Sequence, residues 1–343
     1  MDTTHYQVAW FGLLLLFLVA YSVLDGFDLG VGILIFFTKS DKKRNLLFSA
    51  LAPIWDGNEL WLVIAGASLF AVFPQAYATT LSGFYLPIFF IATGLMLRAA
   101  AFECRHLCRR AATRRAWERV FAIASFSIPF LLAVALGNII AGIPLTGSHE
   151  YGGSILFLFR LYPCALAATG IAIIILQGSL FAACKLPTPF SEELRTTASR
   201  WWHHAAVAFV LLAISMLFQA PQARSRPVFW VSATVAALAL VATMILMRPG
   251  KERFSFLASS IAIVSIWFMQ ATALFPDLIR NSADSSRSIT IFNGSAEIGT
   301  LRVLAGIAVP ATILYLALNW YLYTTFKGKL SPGADLYGGD GKE

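Results

Sequence analysis

Apolar residues come in long runs along this chain, and the polar positions gather into short breaks between them. A run of about 20 apolar residues, wound as a helix, crosses the roughly 30 Å hydrocarbon layer of a membrane. Runs of that kind predict nine transmembrane helices, over residues 8–37, 51–73, 78–101, 119–142, 157–184, 203–221, 227–247, 255–276 and 299–326. The division between the second and third rests on Pro74 and a short polar stretch. The expected fold is therefore all-α, with one integral membrane domain over residues 1–326. A tail follows, residues 327–343, whose Gly and charge predict disorder. The first seven residues are polar and the run after them has no small-residue cleavage site, so the first helix is expected to be its own anchor.

Composition supports this pattern. Hydrophobic residues fill 58% of the 343 positions and charged residues 13%, where a soluble globule has about 45–50% and about 25%. The excess is expected to face membrane lipid. A net charge of +8 would suit nucleic acid, but the 26 Lys and Arg lie in short breaks between apolar runs, so no nucleic-acid partner is expected. Cytoplasmic loops retain Lys and Arg. With the N-terminus outside, the inner segments 38–45, 98–119, 185–200 and 248–253 and the tail hold 20 of the 26, which predicts a cytoplasmic C-terminus. Four Cys in such a chain suggest no disulfide framework.

Acidic residues inside lipid are the sharpest chemical signal, since each costs about 2.5–3.5 kcal/mol at mid-span on insertion scales. Asp25 and Asp28 in the first helix and Asp56 and Glu59 in the second are the four that sit well inside a span. The first helix tolerates its pair because it carries 19 Leu, Ile, Val and Phe. Each pair is spaced i, i+3, which keeps its members on one helical face. The two helices are antiparallel and joined by a short break, so the four carboxyls are expected to form a ladder from the cytoplasmic side toward the membrane core. Burial and like-charge neighbours favour carboxyls that carry protons near neutral pH. The competing structural readings are that Asp56, after Pro53, caps a helix start, and that Asp25 or Asp28 bonds to a neighbouring helix or an Arg for packing. Gly26, Gly30 and Gly32 contain a small-xxx-small spacing suited to close helix contact.

His5, His106, His149, His203 and His204 fall in breaks or at predicted span ends, which argues against a haem held between two imidazoles in the bilayer. Cys104, His106 and Cys108 lack a fourth ligand for a metal. No cofactor or metal bound by this chain is expected.

At the carboxylates the sequence resembles a known family. Residues 24–32, LDGFDLGVG, and 55–59, WDGNE, closely resemble motifs of subunit II of the cytochrome bd quinol oxidases. The likeness continues through FAVFPQAY at 70–77, RAAAFECR at 98–105, Gly137-Asn138 ahead of Gly142 and Pro144, Gln177-Gly178, and the exit Phe326-Lys327-Gly328-Lys329. It is dense over the first 180 residues and thin beyond. The short connection between the sixth and seventh spans resembles the cyanide-insensitive variety. The resemblance implies a nine-helix subunit in the bacterial cell membrane, paired with a homologous subunit I that carries haem b, haem d and the quinol site, with room for a small third subunit. It implies that Asp56 belongs to a cytoplasmic proton entry, and that an oxygen route passes near Trp61. The roles of Asp25, Asp28 and Glu59 rest on position. Two other classes compete: a proton-coupled secondary transporter, which would also carry intramembrane carboxyls and Gly-rich helices, and a purely structural membrane partner.

Overall fold

The computed structural model describes residues 2–145 and 155–330. Its helices are α1 (Thr3–Phe37), α2 (Asp41–Leu51), α3 (Trp55–Val72), α4 (Pro74–Gly83), α5 (Tyr85–Leu107), α6 (Ala111–Ala141), α7 (Leu161–Lys185), α8 (Phe190–Gln219), α9 (Pro227–Leu246), α10 (Glu252–Leu274) and α11 (Ile298–Thr325). Eight are long and apolar enough to cross a membrane, and α3 with α4, bent by 117° at their junction, makes up to nine. Pro74 causes that break: it has no N–H to continue α3 and opens α4 at a first-turn position, where none is needed. Beside the helices, a two-stranded antiparallel pair, β1 (Asp277–Ile279) and β2 (Ile289–Thr290), lies in the connection between α10 and α11.

Helix α7 is the axis of the bundle, with 83% of its most apolar window buried. It packs against α8, α6 and α1. The contact with α1 is backbone to backbone: a Cβ at Gly30 would lie 1.9 Å from the Ile174 carbonyl oxygen, and one at Gly178 2.6 Å from the Val31 nitrogen. Only glycine fits at either place, so the small-residue spacing of α1 does what the sequence suggests. By contrast, α11 has 11% of its apolar window buried and leans on α1 and α3 alone among its closer neighbours.

Four expectations shift. The third span begins at Tyr85 and runs to Leu107, seven residues on from the predicted start at Ala78, because α4 takes the stretch after Pro74. Arg98, counted above among the inner basic residues, therefore stands inside α5 and is fully buried. Helix α8 starts at Phe190, thirteen residues before His203, because it continues past the apolar run and is tied there by Arg195 to Glu252 at 3.1 Å. His203 and His204 are consequently within a long helix and not at its start; His149 lies outside the described residues. Finally, the first residues of the tail are held: the Leu330 N–H donates to the Lys185 carbonyl at 2.8 Å, and Lys185 Nζ to the Phe326 carbonyl at 2.5 Å. Residues 331–343 lie outside the described residues.

The two ends of the bundle differ in chemistry. At one end, Gln7 Nε2 donates to Ser295 Oγ and Trp10 Nε1 to the Leu301 carbonyl, which pins α1 beneath the strand-bearing connection. At the other lie Lys39, Lys42, Lys43, Arg44 and the α5–α6 turn, with α2 bridging from α1 to α3.

Candidate functional site

Helices α1, α3 and α5 enclose a polar site near the basic end of the bundle. From α1 come Asp25 and Asp28, both with no exposed surface. Helix α5 contributes Arg98, whose Nη2 donates to Asp25 Oδ1 at 2.7 Å and whose Nη1 donates to Asp25 Oδ2 at 3.1 Å. This is the two-point fork that the planar guanidinium offers a carboxylate. The same Nη1 reaches Glu59 Oε2 of α3 at 3.1 Å. One turn along α1, Asp28 Oδ2 accepts from Asn58 Nδ2 at 2.8 Å, and Asn58 Oδ1 in turn accepts from the Tyr323 hydroxyl of α11 at 2.9 Å.

The four predicted carboxyls thus do not form one ladder. Asp25 and Glu59 meet on Arg98, Asp28 faces Asn58, and Asp56 turns outward. The reason is helical geometry, since residues three apart are offset by about 60° in projection at 3.6 residues per turn. On α3, Asn58, Trp61, Ala65 and Val72 face the bundle, while Asp56, Leu60, Val63, Ala67 and Phe70 form the outward stripe. Glu59 lies on the shoulder between them, its side chain 18% exposed. Trp61 is fully buried against Phe17 and Tyr315, ring centroids 6.1 and 4.9 Å away, and the Tyr315 hydroxyl donates to the Gly57 carbonyl.

Arg98, Asn58 and Tyr323 are the members that sequence reasoning passed over. A signal existed for Arg98: the residues after it, Ala99, Ala100, Ala101 and Phe102, continue the apolar run, so the arginine interrupts a span and does not end it. Asn58 is the fourth residue of WDGN, singled out above for its acid only. Tyr323, some 260 residues away, carried no local mark.

The electrostatics are lopsided. One guanidinium faces Asp25 and Glu59 directly, with Asp28 a turn away, and a buried anion without a counter-charge costs several kcal/mol. Toward the basic end, a packed group of rings from Phe48, Trp55, Phe102 and Phe121 comes next. Beyond the rings lies a second ionic group, where buried Glu118 of α6 accepts from Arg44 Nε at 2.6 Å and from Arg105 Nε at 3.0 Å. Arg105 also donates to Asn45. At the surface of this group, Asp41 bonds to Arg44, Arg114 and Arg115. Its slight burial opposes the charge, but Arg44, Arg115 and Arg114 outweigh it and hold the carboxyl below the usual range. Among the described residues no three His, Cys, Asp or Glu are placed to hold a metal ion.

A multi-pass helical membrane protein with an arginine of one helix buried between carboxyls of two others is thus defined by its fold and site. The profile of the cytochrome bd terminal oxidase subunit II family matches residues 6–326, and the chain belongs to that family. Cytochrome bd-I ubiquinol oxidase subunit 2 of Escherichia coli (strain K12) is 25% identical to it, over 95% of this chain and 96% of the relative. Cytochrome bd ubiquinol oxidase subunit 2 of Bacillus subtilis (strain 168) is 24% identical, over 94% and 96%. Among solved structures, the bd oxidase from Geobacillus thermodenitrificans shares the fold, with a TM-score of 0.80 at 16% identity, covering 94% of this chain and 98% of that one. The family assignment sets the transporter reading aside.

Proposed function

We propose that this chain is the haem-free subunit II of a ubiquinol:oxygen oxidoreductase, and that it contributes a proton-uptake route from the cytoplasm to a partner subunit I holding haem b and haem d. The names of the Escherichia coli and Bacillus subtilis relatives support the ubiquinol oxidase assignment. The single observation that supports the proton route is the Arg98 site, where buried carboxyls outnumber the one cation among them. Such groups exchange protons in place of carrying uncompensated charge in low dielectric. The orientation follows the basic residues: N-terminus outside, with α2, the α5–α6 turn and the C-terminus in the cytoplasm.

Purification of the complex with and without its carboxyls tests this reading. The chain is expected to bring a coloured oxidase whose quinol-driven oxygen consumption depends on Asp56 and Glu59. A coloured oxidase indifferent to all four carboxyls would make the chain a structural partner only.

A further inference from the structure

The ring group beneath the Arg98 site is a closely packed layer. Phe48, Trp55, Phe102 and Phe121 are each at most 4% exposed. Their centroids lie 4.6 Å apart for Trp55 and Phe102, 5.1 Å for Phe48 and Phe121, 5.5 Å for Phe48 and Phe102, and 5.8 Å for Phe102 and Phe121. A guanidinium flanks each side: Arg98 lies 5.7 Å from the Phe121 ring, and Arg105 lies 4.2 Å from the Phe48 ring. The two arginines are seven residues apart on α5, about 10 Å at the helical rise. Three phenyl rings and an indole stand in that interval, and the rings themselves carry no carboxyl or hydroxyl; the polar side chains beside them are Ser125, next to Phe121, and His106, whose ring lies 5.9 Å from that of Phe102. A layer of packed rings thus stands between the ionic group of Glu118, Arg44 and Arg105 and the Arg98 site, although Arg98 and Arg105 share α5.

The Arg98 site opens elsewhere. Asp25, Asp28 and Arg98 have no exposed surface, while the Glu59 side chain keeps 18% of its own. Glu59 stands on the shoulder of α3, one turn in from Asp56, which occupies the first helical turn and is exposed on the outward stripe.

We propose that Glu59 is the exchange residue of this site, and that protons reach the Arg98 pair sideways, along the outward shoulder of α3 from Asp56 to Glu59, and not upward through the floor of α2, α5 and α6. The inference rests on the proton-uptake reading above and adds its path. Glu59 as a carboxylate takes a proton from the Asp56 side and as a carboxyl passes it inward to the Asp25 carboxylate, while Arg98 keeps its charge and holds both in place. The outward stripe of α3 is then one wall of the path, and whatever packs on α3 in the complex is the other.

The test uses the whole complex at matched haem content. Proton uptake is followed with a pH-indicator dye during the reaction of the reduced complex with oxygen, and carboxyl bands are followed by redox-difference infrared spectroscopy. In Glu59→Gln, uptake is expected to slow by about tenfold or more, with quinol KM unchanged and one carboxyl C=O band lost. Glu59→Asp is expected to recover part of the rate with that band shifted; because it keeps the charge facing Arg98, it also serves if the Gln variant fails to assemble. Phe102→Leu, which loosens the ring layer, is expected to leave Glu59→Gln slow. Wild-type uptake in Glu59→Gln, rescue of that variant by Phe102→Leu, or an infrared spectrum unmoved by Glu59→Asp would each overturn the proposal. Slow Asp56→Asn beside normal Glu59→Gln would sink this path and leave the proton-uptake reading standing; normal rates in both would sink the two together.

Discussion

Asp56 and Asn58 sit two residues apart in one motif and face opposite ways. Asn58 is fully buried and bridges Asp28 to Tyr323, so it is a fixed part of the packing between α1, α3 and α11. Asp56 is exposed on the outward face of the first turn of α3, near that helix's positive end, where a carboxylate is favoured. Its two readings, dipole-matching acid and proton entry, separate on one substitution. Asn keeps the size and hydrogen-bonding capacity of Asp but carries no titratable proton. Asp56→Asn is expected to assemble with its haems and to turn over quinol and oxygen more slowly, with the loss in proton-coupled steps after oxygen binds, and Asp56→Glu to recover part of the rate. Full wild-type turnover by Asp56→Asn at equal haem content would leave only the structural role.

At the scale of elements, the close approach of α1 and α7 fixes where the Arg98 site forms, because Asp25 and Asp28 flank Gly26 and precede Gly30 on the same helix. Gly30→Ala puts a methyl into the Ile174 carbonyl, so the helices must part. Overpacking of this kind costs about 1–3 kcal/mol. The thermal midpoint of the haem-containing complex is expected to fall for Gly30→Ala and to stay put for Gly12→Ala, where nothing lies within 4 Å of the new Cβ. Equal midpoints would show that the contact yields without cost. That α1 makes a close helix contact was legible in the glycine spacing, and the spans in the apolar runs, because period and composition are local properties; that α7 is the partner was not. The meeting of Arg98 with Asp25 and Glu59 was not, since three helices supply its members and the side each member faces depends on how those helices rotate in the bundle. Helix length was not legible at α8 for a related reason: hydropathy marks where an apolar run begins, near His203, whereas α8 already runs as a helix through the polar residues from Phe190.

On the scale of the whole molecule, the proposed proton route depends on which end of the bundle meets the cytoplasm. Moving Arg98 from a loop to the bundle interior removes one of the 20 basic residues assigned to the inner side and leaves the asymmetry intact. The remaining basic residues cluster at the end that carries α2 and the α5–α6 turn, where Asp41 bonds to Arg44, Arg114 and Arg115. The opposite end carries the strand pair and the exposed Ser285. Ala112, in the first turn of α6, is exposed at the basic end. Cys introduced at Ser285 is therefore expected to react with a membrane-impermeant maleimide in intact cells, and Cys at Ala112 only after the membrane is opened. The native Cys104, Cys108, Cys164 and Cys184 are free thiols, so the labelling is read as the difference from the unmodified chain. Reversed labelling would place Asp56 on the outer side, and a path running from Asp56 to Glu59 would then begin at the wrong surface to draw protons from the cytoplasm.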